Sequence, residues 1–115
     1  MATCGVPRSL WEVGVGTGIV AQVLQNDGYH VVAVEPGRSG AAQTAESGVP
    51  SIASTLEELR LPAGSIPAIG LFDVIEHLED PGRLLEECRR VLDPAGRLVV
   101  TVPAYSWLWS NADDL

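Results

Sequence analysis

Residues 12–18 read EVGVGTG, and they are the part of the sequence that says most about the expected fold. It follows an apolar run at residues 10–13 and precedes a segment of helical periodicity, residues 17–26, which Asp27-Gly28 ends. Glycines in such a turn allow a tight bend, and a ligand can approach the backbone because no Cβ stands in the way. The stretch therefore predicts a strand, a ligand-binding turn and a helix, in that order.

Apolar runs alternate with helical periodicity along the rest of the chain. Further strands are predicted at residues 30–34, 51–53, 68–72 and 97–102, and further helices at residues 39–47 and from Asp80 onward. Asp80 is a suitable N-cap, and Pro81 suits the first helical position, where its missing N–H is not needed. Strands joined by helices predict a doubly wound, mostly parallel α/β sheet, because right-handed crossovers connect parallel strands.

Two of the predicted helices carry an apolar face. In the first helix it consists of Ile19, Val20, Val23 and Leu24. In the helix after Asp80 it consists of Leu84, Leu85, Cys88, Val91 and Leu92. These faces are expected to cover the sheet, with Cys88 acting as a small hydrophobic residue.

Composition excludes several classes of protein. The 115 residues suffice for one domain, and 46% apolar and 19% charged residues are typical of a globular fold. The net charge of −8 repels phosphate backbones and anionic lipids, so no nucleic-acid or membrane partner is expected. No apolar run is long enough to cross a bilayer. Cys4 and Cys88 lack metal-ligand spacing, which favours reduced thiols in a cytoplasmic protein and no metal site.

The glycine spacing separates two classes of cofactor. The dinucleotide fingerprint is G-x-G-x-x-G, whereas here Ile19 occupies the position of its last glycine, which disfavours an NAD-linked oxidoreductase. The pattern E-x-G-x-G-x-G resembles the first motif of class I S-adenosylmethionine (SAM)-dependent methyltransferases. The resemblance implies that the methionine part of SAM is bound by Glu12, Gly14, Gly16 and Gly18.

Glu35 ends the second predicted strand. A carboxylate there can accept hydrogen bonds from two ribose hydroxyls, and the resemblance assigns Glu35 that role. The alternative is an acid at a strand end that faces solvent.

The second half of the chain resembles one branch of the family more specifically. Residues 69–81, IGLFDVIEHLEDP, resemble the fourth-strand region of ubiquinone-biosynthesis type methyltransferases, with their E-H-x-x-D-P signature. Residues 94–110 resemble the turn, fifth strand and tail that follow. The resemblance implies that Thr55 and Leu56 lie near the adenine, and that the cofactor pocket is also lined by Leu71, Phe72 and Asp73. Pro67 cannot donate to a strand ladder, so it is expected to precede the paired part of the fourth strand.

His77 is the candidate catalytic residue, because a neutral imidazole could take a proton from a hydroxyl or amine nucleophile. The alternative is that Glu76 and His77 order the loop before the helix. Methyl transfer from SAM often needs only alignment and desolvation, so no base is strictly required. Trp107 and Trp109 are expected to pack in a core or an interface.

The family fold has seven strands in the order 3-2-1-4-5-7-6. The resemblance thus implies a single SAM-binding domain, residues 1–115, with a Rossmann-like sheet of about five strands in the order 3-2-1-4-5 and without the last two strands. The edge of the fifth strand would then be unpaired, which favours a homodimer or higher oligomer through this edge and the Trp-containing tail.

The function implied is transfer of a methyl group from SAM to an O, N or C nucleophile of a small molecule, with S-adenosylhomocysteine as product. The alternative is a truncated nucleotide-binding or interaction module without catalytic activity.

Overall fold

The computed structural model describes residues 8–14 and 18–102. Five strands form one sheet in which every pair is parallel. The strands are β1 (Ser9–Val13), β2 (His30–Val34), β3 (Ser51–Ile52), β4 (Ile66–Phe72) and β5 (Leu92–Thr101). The order β3-β2-β1-β4-β5 confirms the doubly wound fold class and the strand order expected from the sequence.

Helices connect the strands. They are α1 (Ile19–Asn26), α2 (Arg38–Glu46) and α3 (Pro81–Val91), with short 3₁₀ helices at Glu57–Leu59 and Ile75–His77. Asp80 caps α3 as predicted, because its Oδ1 accepts a hydrogen bond from the backbone N–H of Arg83 at 3.2 Å. This cap fixes the point at which the loop after β4 enters α3.

Two apolar clusters pack on the sheet. The larger includes Leu71 of β4 and Cys88 and Val91 of α3, all fully buried. The smaller joins Ala21 of α1 to Val31 of β2. The prediction that Cys88 acts as a buried apolar residue is confirmed.

Of the apolar face predicted for α1, Leu24 packs against the smaller cluster, whereas the other three residues are exposed. Ile19, Val20 and Val23 are 64%, 41% and 60% exposed, whereas Ala21 is fully buried. A side chain as small as that of Ala21 lets the helix backbone approach the sheet closely, and this contact sets the rotation of the helix. The expectation for these three residues was therefore wrong.

Pro67 lies inside β4, and the expectation that it precedes the paired strand was wrong. Ile66 already pairs with Leu92 of β5, and the next pair is Ala68 with Arg97, with an irregularity between them. Residues 93–96 of β5 thus stand opposite the single residue Pro67, three more than a regular ladder holds, and they form a bulge. A bulge interrupts the ladder, so a residue without an N–H can occupy it.

In the described part of the chain, no helix combines the length and apolar character needed to cross a membrane.

Candidate active site

A cavity of about 230 Å³ lies beyond the carboxyl ends of β1 and β2. Its walls come from the segments that follow β1, β2, β3 and β4 and from the first turn of α3; the lining residues are 13–14, 35–36, 55–57, 74, 78–80 and 83–84. The strand order reverses between β1 and β4. Doubly wound sheets bind their ligands at such a switch point, outside the carboxyl ends of the strands.

Two glycines of the turn after β1 are required by backbone conformation and by space. Gly14 has φ of 73°, and a Cβ there would lie 3.0 Å from both methyl carbons of Val74. Gly18 has φ of 80°, and a Cβ there would lie 2.7 Å from Oγ1 of Thr44. Both φ values belong to the left-handed region that side chains disfavour. Gly14 lines the cavity, while Gly16 lies outside the described residues.

Glu12 is a buried acid in the central strand of the sheet. It is 2% exposed, and its Oε2 has no hydrogen-bond partner among the residues that the structure describes. Burial raises the pKa of this carboxyl to about 7. Glu12 itself does not line the cavity, but the next two residues do. A carboxyl that is buried away from donors and cations favours its protonated form, which is why its pKa is raised.

Glu35 lines the cavity at the end of β2. Its backbone is fixed on both sides, because its N–H donates to the carbonyl of Ile52 at 2.9 Å and its carbonyl accepts from Ser54 at 3.2 Å. Oε2 of Glu35 accepts a hydrogen bond from the N–H of Gly37 at 2.8 Å. The carboxylate is therefore held in a defined orientation at the cavity wall.

Thr55 and Leu56 also line the cavity. Thr55 and Glu58 form a reciprocal cap: Oγ1 of Thr55 accepts from the N–H of Glu58 at 3.1 Å and donates to its carboxylate at 2.9 Å. Leu56 is fully buried and gives the cavity an apolar wall. This T-x-x-E capping box orders the cavity wall, and the sequence analysis did not identify it.

The other three predicted pocket residues lie beside the cavity and not in its lining. Leu71 is fully buried in the core, Phe72 is half-buried, and Asp73 is exposed with φ of 56°. The following residue, Val74, lines the cavity and contacts Gly14. Sequence reasoning missed Val74, Leu78 and Arg83 as lining residues; the family motif ran through this loop but did not show which side chains turn inward.

His77 lies on the 3₁₀ helix Ile75–His77, at the same end of the sheet. Its side chain is 78% exposed, and its Nε2 is 3.8 Å from Oε1 of Glu76. It does not line the cavity, although Leu78 does. The position allows contact with a substrate that approaches from solvent, and it equally allows a role in ordering the loop.

Acidic residues outnumber basic ones around the cavity. Among the described lining residues, Glu35, Glu57, Glu79 and Asp80 are acidic and Arg83 is basic. Such a lining attracts a cationic ligand and repels a pyrophosphate. No group of three or more His, Cys, Asp or Glu suited to a metal ion occurs in the described ranges.

The doubly wound sheet and the cavity at its switch point define a Rossmann-like α/β domain. The sequence matches the family model described as a methyltransferase domain over residues 11–100. The chain therefore belongs to the methyltransferase domain family, as the sequence motifs predicted.

Individual relatives agree with this assignment. The chain is 35% identical over 99 residues to a probable SAM-dependent methyltransferase of Mycobacterium tuberculosis, covering 84% of this chain and 36% of that protein. It is 32% identical over 102 residues to a ubiquinone biosynthesis O-methyltransferase of Bradyrhizobium sp., covering 84% of this chain and 40% of that protein.

A solved structure is similar as well. It is a SAM-dependent methyltransferase of Thermotoga maritima, described as a possible histamine N-methyltransferase, with a TM-score of 0.70 and 33% identity over 80% of this chain and 42% of that one. The chain thus spans less than half the length of each of these three proteins.

Proposed function

We propose that this chain is the SAM-binding part of a methyltransferase that acts on an O, N or C nucleophile of a small molecule. The observation that carries the proposal is the pairing of Gly14 and Glu35 on the walls of one acidic cavity at the switch point of the sheet. S-adenosylhomocysteine is the expected product.

The residues present fit SAM. The ligand combines a ribose diol, an adenine ring and a sulfonium cation, and when bound it supplies an activated methyl group on positively charged sulfur. Oriented by Gly37, Glu35 can accept hydrogen bonds from the ribose hydroxyls. Gly14 lies on the cavity wall, where the methionine part would be bound, and the buried Oε2 of Glu12 lacks a donor among the described residues.

The chain's own contribution to catalysis is orientation and exclusion of water. Leu56 is fully buried, and together with Val74 and Leu78 it forms the apolar wall of the cavity. Alignment of a nucleophile with the methyl group in such a site accelerates transfer without a proton relay. His77 as general base stays a prediction, tested by the pH profile of His77→Gln: loss of an acidic limb in kcat/KM supports it, and an unchanged profile assigns His77 to the loop.

Titration calorimetry with SAM, S-adenosylhomocysteine and NAD tests the proposal. Binding of the first two and not of NAD is expected, and Glu35→Gln should weaken both by about tenfold through loss of charge-assisted hydrogen bonds. Glu86→Gln, an exposed position on α3, is the matched control. Binding of NAD alone would overturn the proposal, whereas SAM binding with a silent methyl-transfer assay would favour the non-catalytic binding module.

We propose further that the chain forms a homodimer through β5. Within the described residues β5 pairs only with β4. The carbonyl of Thr101 accepts from Asp73 after β4, so by alternation the N–H and C=O groups of Leu98 and Val100 point to the open edge. The side chains of Leu98, Val99 and Val100 are 38–43% exposed. An antiparallel two-fold contact centred on Val99 would pair Leu98 of each copy with Val100 of the other.

Val100→Pro tests this arrangement. It removes the backbone N–H of residue 100, which points to the open edge, and it leaves the N–H groups that face β4 in place. Light scattering should show a dimer for the native chain and a monomer for Val100→Pro. A monodisperse native monomer at high concentration would contradict the dimer. Trp107 and Trp109, predicted to take part, lie outside the described residues.

The place of action proposed is the cytoplasm, without nucleic acid as partner. The net charge of −8 and the buried free thiol of Cys88 support this. We expect no binding to duplex DNA or RNA at low salt, where electrostatic attraction is strongest.

A further inference from the structure

The end of β4 is tied to the end of β5 by a cluster of hydrogen bonds between Asp73 and Thr101. The N–H of Asp73 donates to the carbonyl of Thr101 at 3.0 Å and to its Oγ1 at 3.1 Å. The hydroxyl of Thr101 donates in turn to Oδ1 of Asp73 at 3.2 Å. We name this pair the Asp73–Thr101 clasp.

The clasp holds a strained backbone. Asp73 has φ of 56°, and Arg60 is the other non-glycine residue with positive φ in the described ranges. Aspartate tolerates the left-handed region better than most residues, but the conformation persists only where surrounding interactions enforce it. Both side chains of the clasp are exposed, so burial does not supply that enforcement.

The backbone turn at Asp73 directs the following residues into the cavity wall. Val74 follows Asp73 directly, and the space that a Cβ on Gly14 would need is taken by the methyl groups of Val74. Val74 and Leu78 line the cavity, and the segment ends at Asp80, which caps α3. The wall between Asp73 and Asp80 is thus anchored at both ends by side-chain hydrogen bonds.

We infer that Thr101 is a positioning residue for the cofactor: its hydroxyl holds Asp73 in the left-handed conformation and thereby keeps Val74 against the glycine turn. Thr101 does not line the cavity, so it acts through Asp73. The inference rests on the proposed function, since the ligand that benefits is SAM or its product. Thr101, the last residue of β5, thus determines cofactor affinity although it lies outside the cavity lining.

Calorimetry with S-adenosylhomocysteine on three variants of the full chain tests the inference. Thr101→Val keeps the shape but removes the hydroxyl, and it should weaken binding by about three- to tenfold, the range expected for the loss of one or two hydrogen bonds. Thr101→Ser should restore affinity to within about twofold, because it restores the hydroxyl. Ser65→Ala, which removes an exposed hydroxyl bond to the carbonyl of Pro62, is the matched control and should bind as the native chain does.

A double variant isolates the mechanism. Glycine adopts positive φ without a Cβ penalty, so it does not need the Thr101 hydroxyl to hold that conformation. In an Asp73→Gly background, Thr101→Val should therefore change the binding free energy by less than about half of its effect in the native background. Should Thr101→Val fail to fold, Asp73→Asn and Asp73→Val replace it. Asparagine tolerates the left-handed region and should bind normally, whereas valine does not and should bind poorly.

Hydrogen exchange on the ligand-free chain separates this inference from the proposed function. Amides 74–80 should exchange faster in Thr101→Val than in the native chain, Thr101→Ser or Ser65→Ala. If the native chain binds neither SAM nor its product, the proposed function fails while exchange still reports on the clasp. Two results would overturn the inference. One is that Thr101→Val binds with native affinity and its amides 74–80 exchange at the native rate. The other is that Thr101→Ser loses as much affinity as Thr101→Val.

Discussion

Neutralising Glu12 should make the ligand-free chain more stable at alkaline pH. Burial raises the pKa of Glu12 from 4.5 to about 7, because no donor to Oε2 among the described residues compensates for the loss of hydration. Between these two pH values the native state holds a proton that the unfolded chain has released. The free energy of unfolding therefore falls as pH rises through this window, and the contribution of Glu12 becomes constant above the native pKa.

The magnitude follows from the two pKa values. A change from 4.5 to about 7 corresponds to about 3 kcal/mol of destabilisation once Glu12 is ionised. About 2 kcal/mol of this should develop between pH 5.5 and pH 8, the practical range for measurement. Glu12→Gln has no titrating group, so this dependence should disappear from the variant.

Urea unfolding of the native chain and of Glu12→Gln, repeated at half-unit steps of pH, measures the difference directly. Glu86→Gln, an exposed acid on α3, serves as control for the charge removed. The stability difference between Glu12→Gln and the native chain should grow with pH by about 2 kcal/mol, while that of the control should stay within about 0.5 kcal/mol. A difference that stays flat, or that shrinks as pH rises, would refute the account of Glu12 as a buried acid without compensation.

Three further outcomes are expected. Gly18→Ala should destabilise the chain by about 2 kcal/mol or more, from its positive φ and the contact with Thr44, and adding Thr44→Ala should recover only the steric part in the same urea assay. Asp80→Ala should cost about 1 kcal/mol through loss of the α3 cap, against no measurable change in Glu86→Ala. Cys88, whose thiol pKa burial raises to about 11, should resist iodoacetamide at pH 8 until the chain unfolds, as peptide mass spectrometry would show.

The sequence predicted those elements whose boundaries are set locally. The strand His30–Val34 was placed correctly, because an apolar run lies between Gly28 and Pro36. The start of α3 was also correct, because Asp80 carries the signal for its own cap. Strand order followed from the family motif and the handedness of crossovers, and both are independent of detailed packing.

The errors arose where a distant segment decides the local structure. Pro67 lies in β4 because β5 bulges opposite it, and no signal near Pro67 reports that bulge. The rotation of α1 depends on the fit of Ala21 against β2, which hydrophobic periodicity does not encode. In the cavity wall, the turn at Asp73 is enforced by Thr101, 28 residues away, so sequence spacing did not identify Val74 as the lining residue.

A crystal structure of the chain with S-adenosylhomocysteine would show directly whether the cavity holds the cofactor. We expect the ribose hydroxyls within hydrogen-bond distance of the Glu35 carboxylate, with the adenine beside Leu56 and the amino-acid part over Gly14. Density for the ligand at any other place on the sheet, or a ribose that does not contact Glu35, would contradict it.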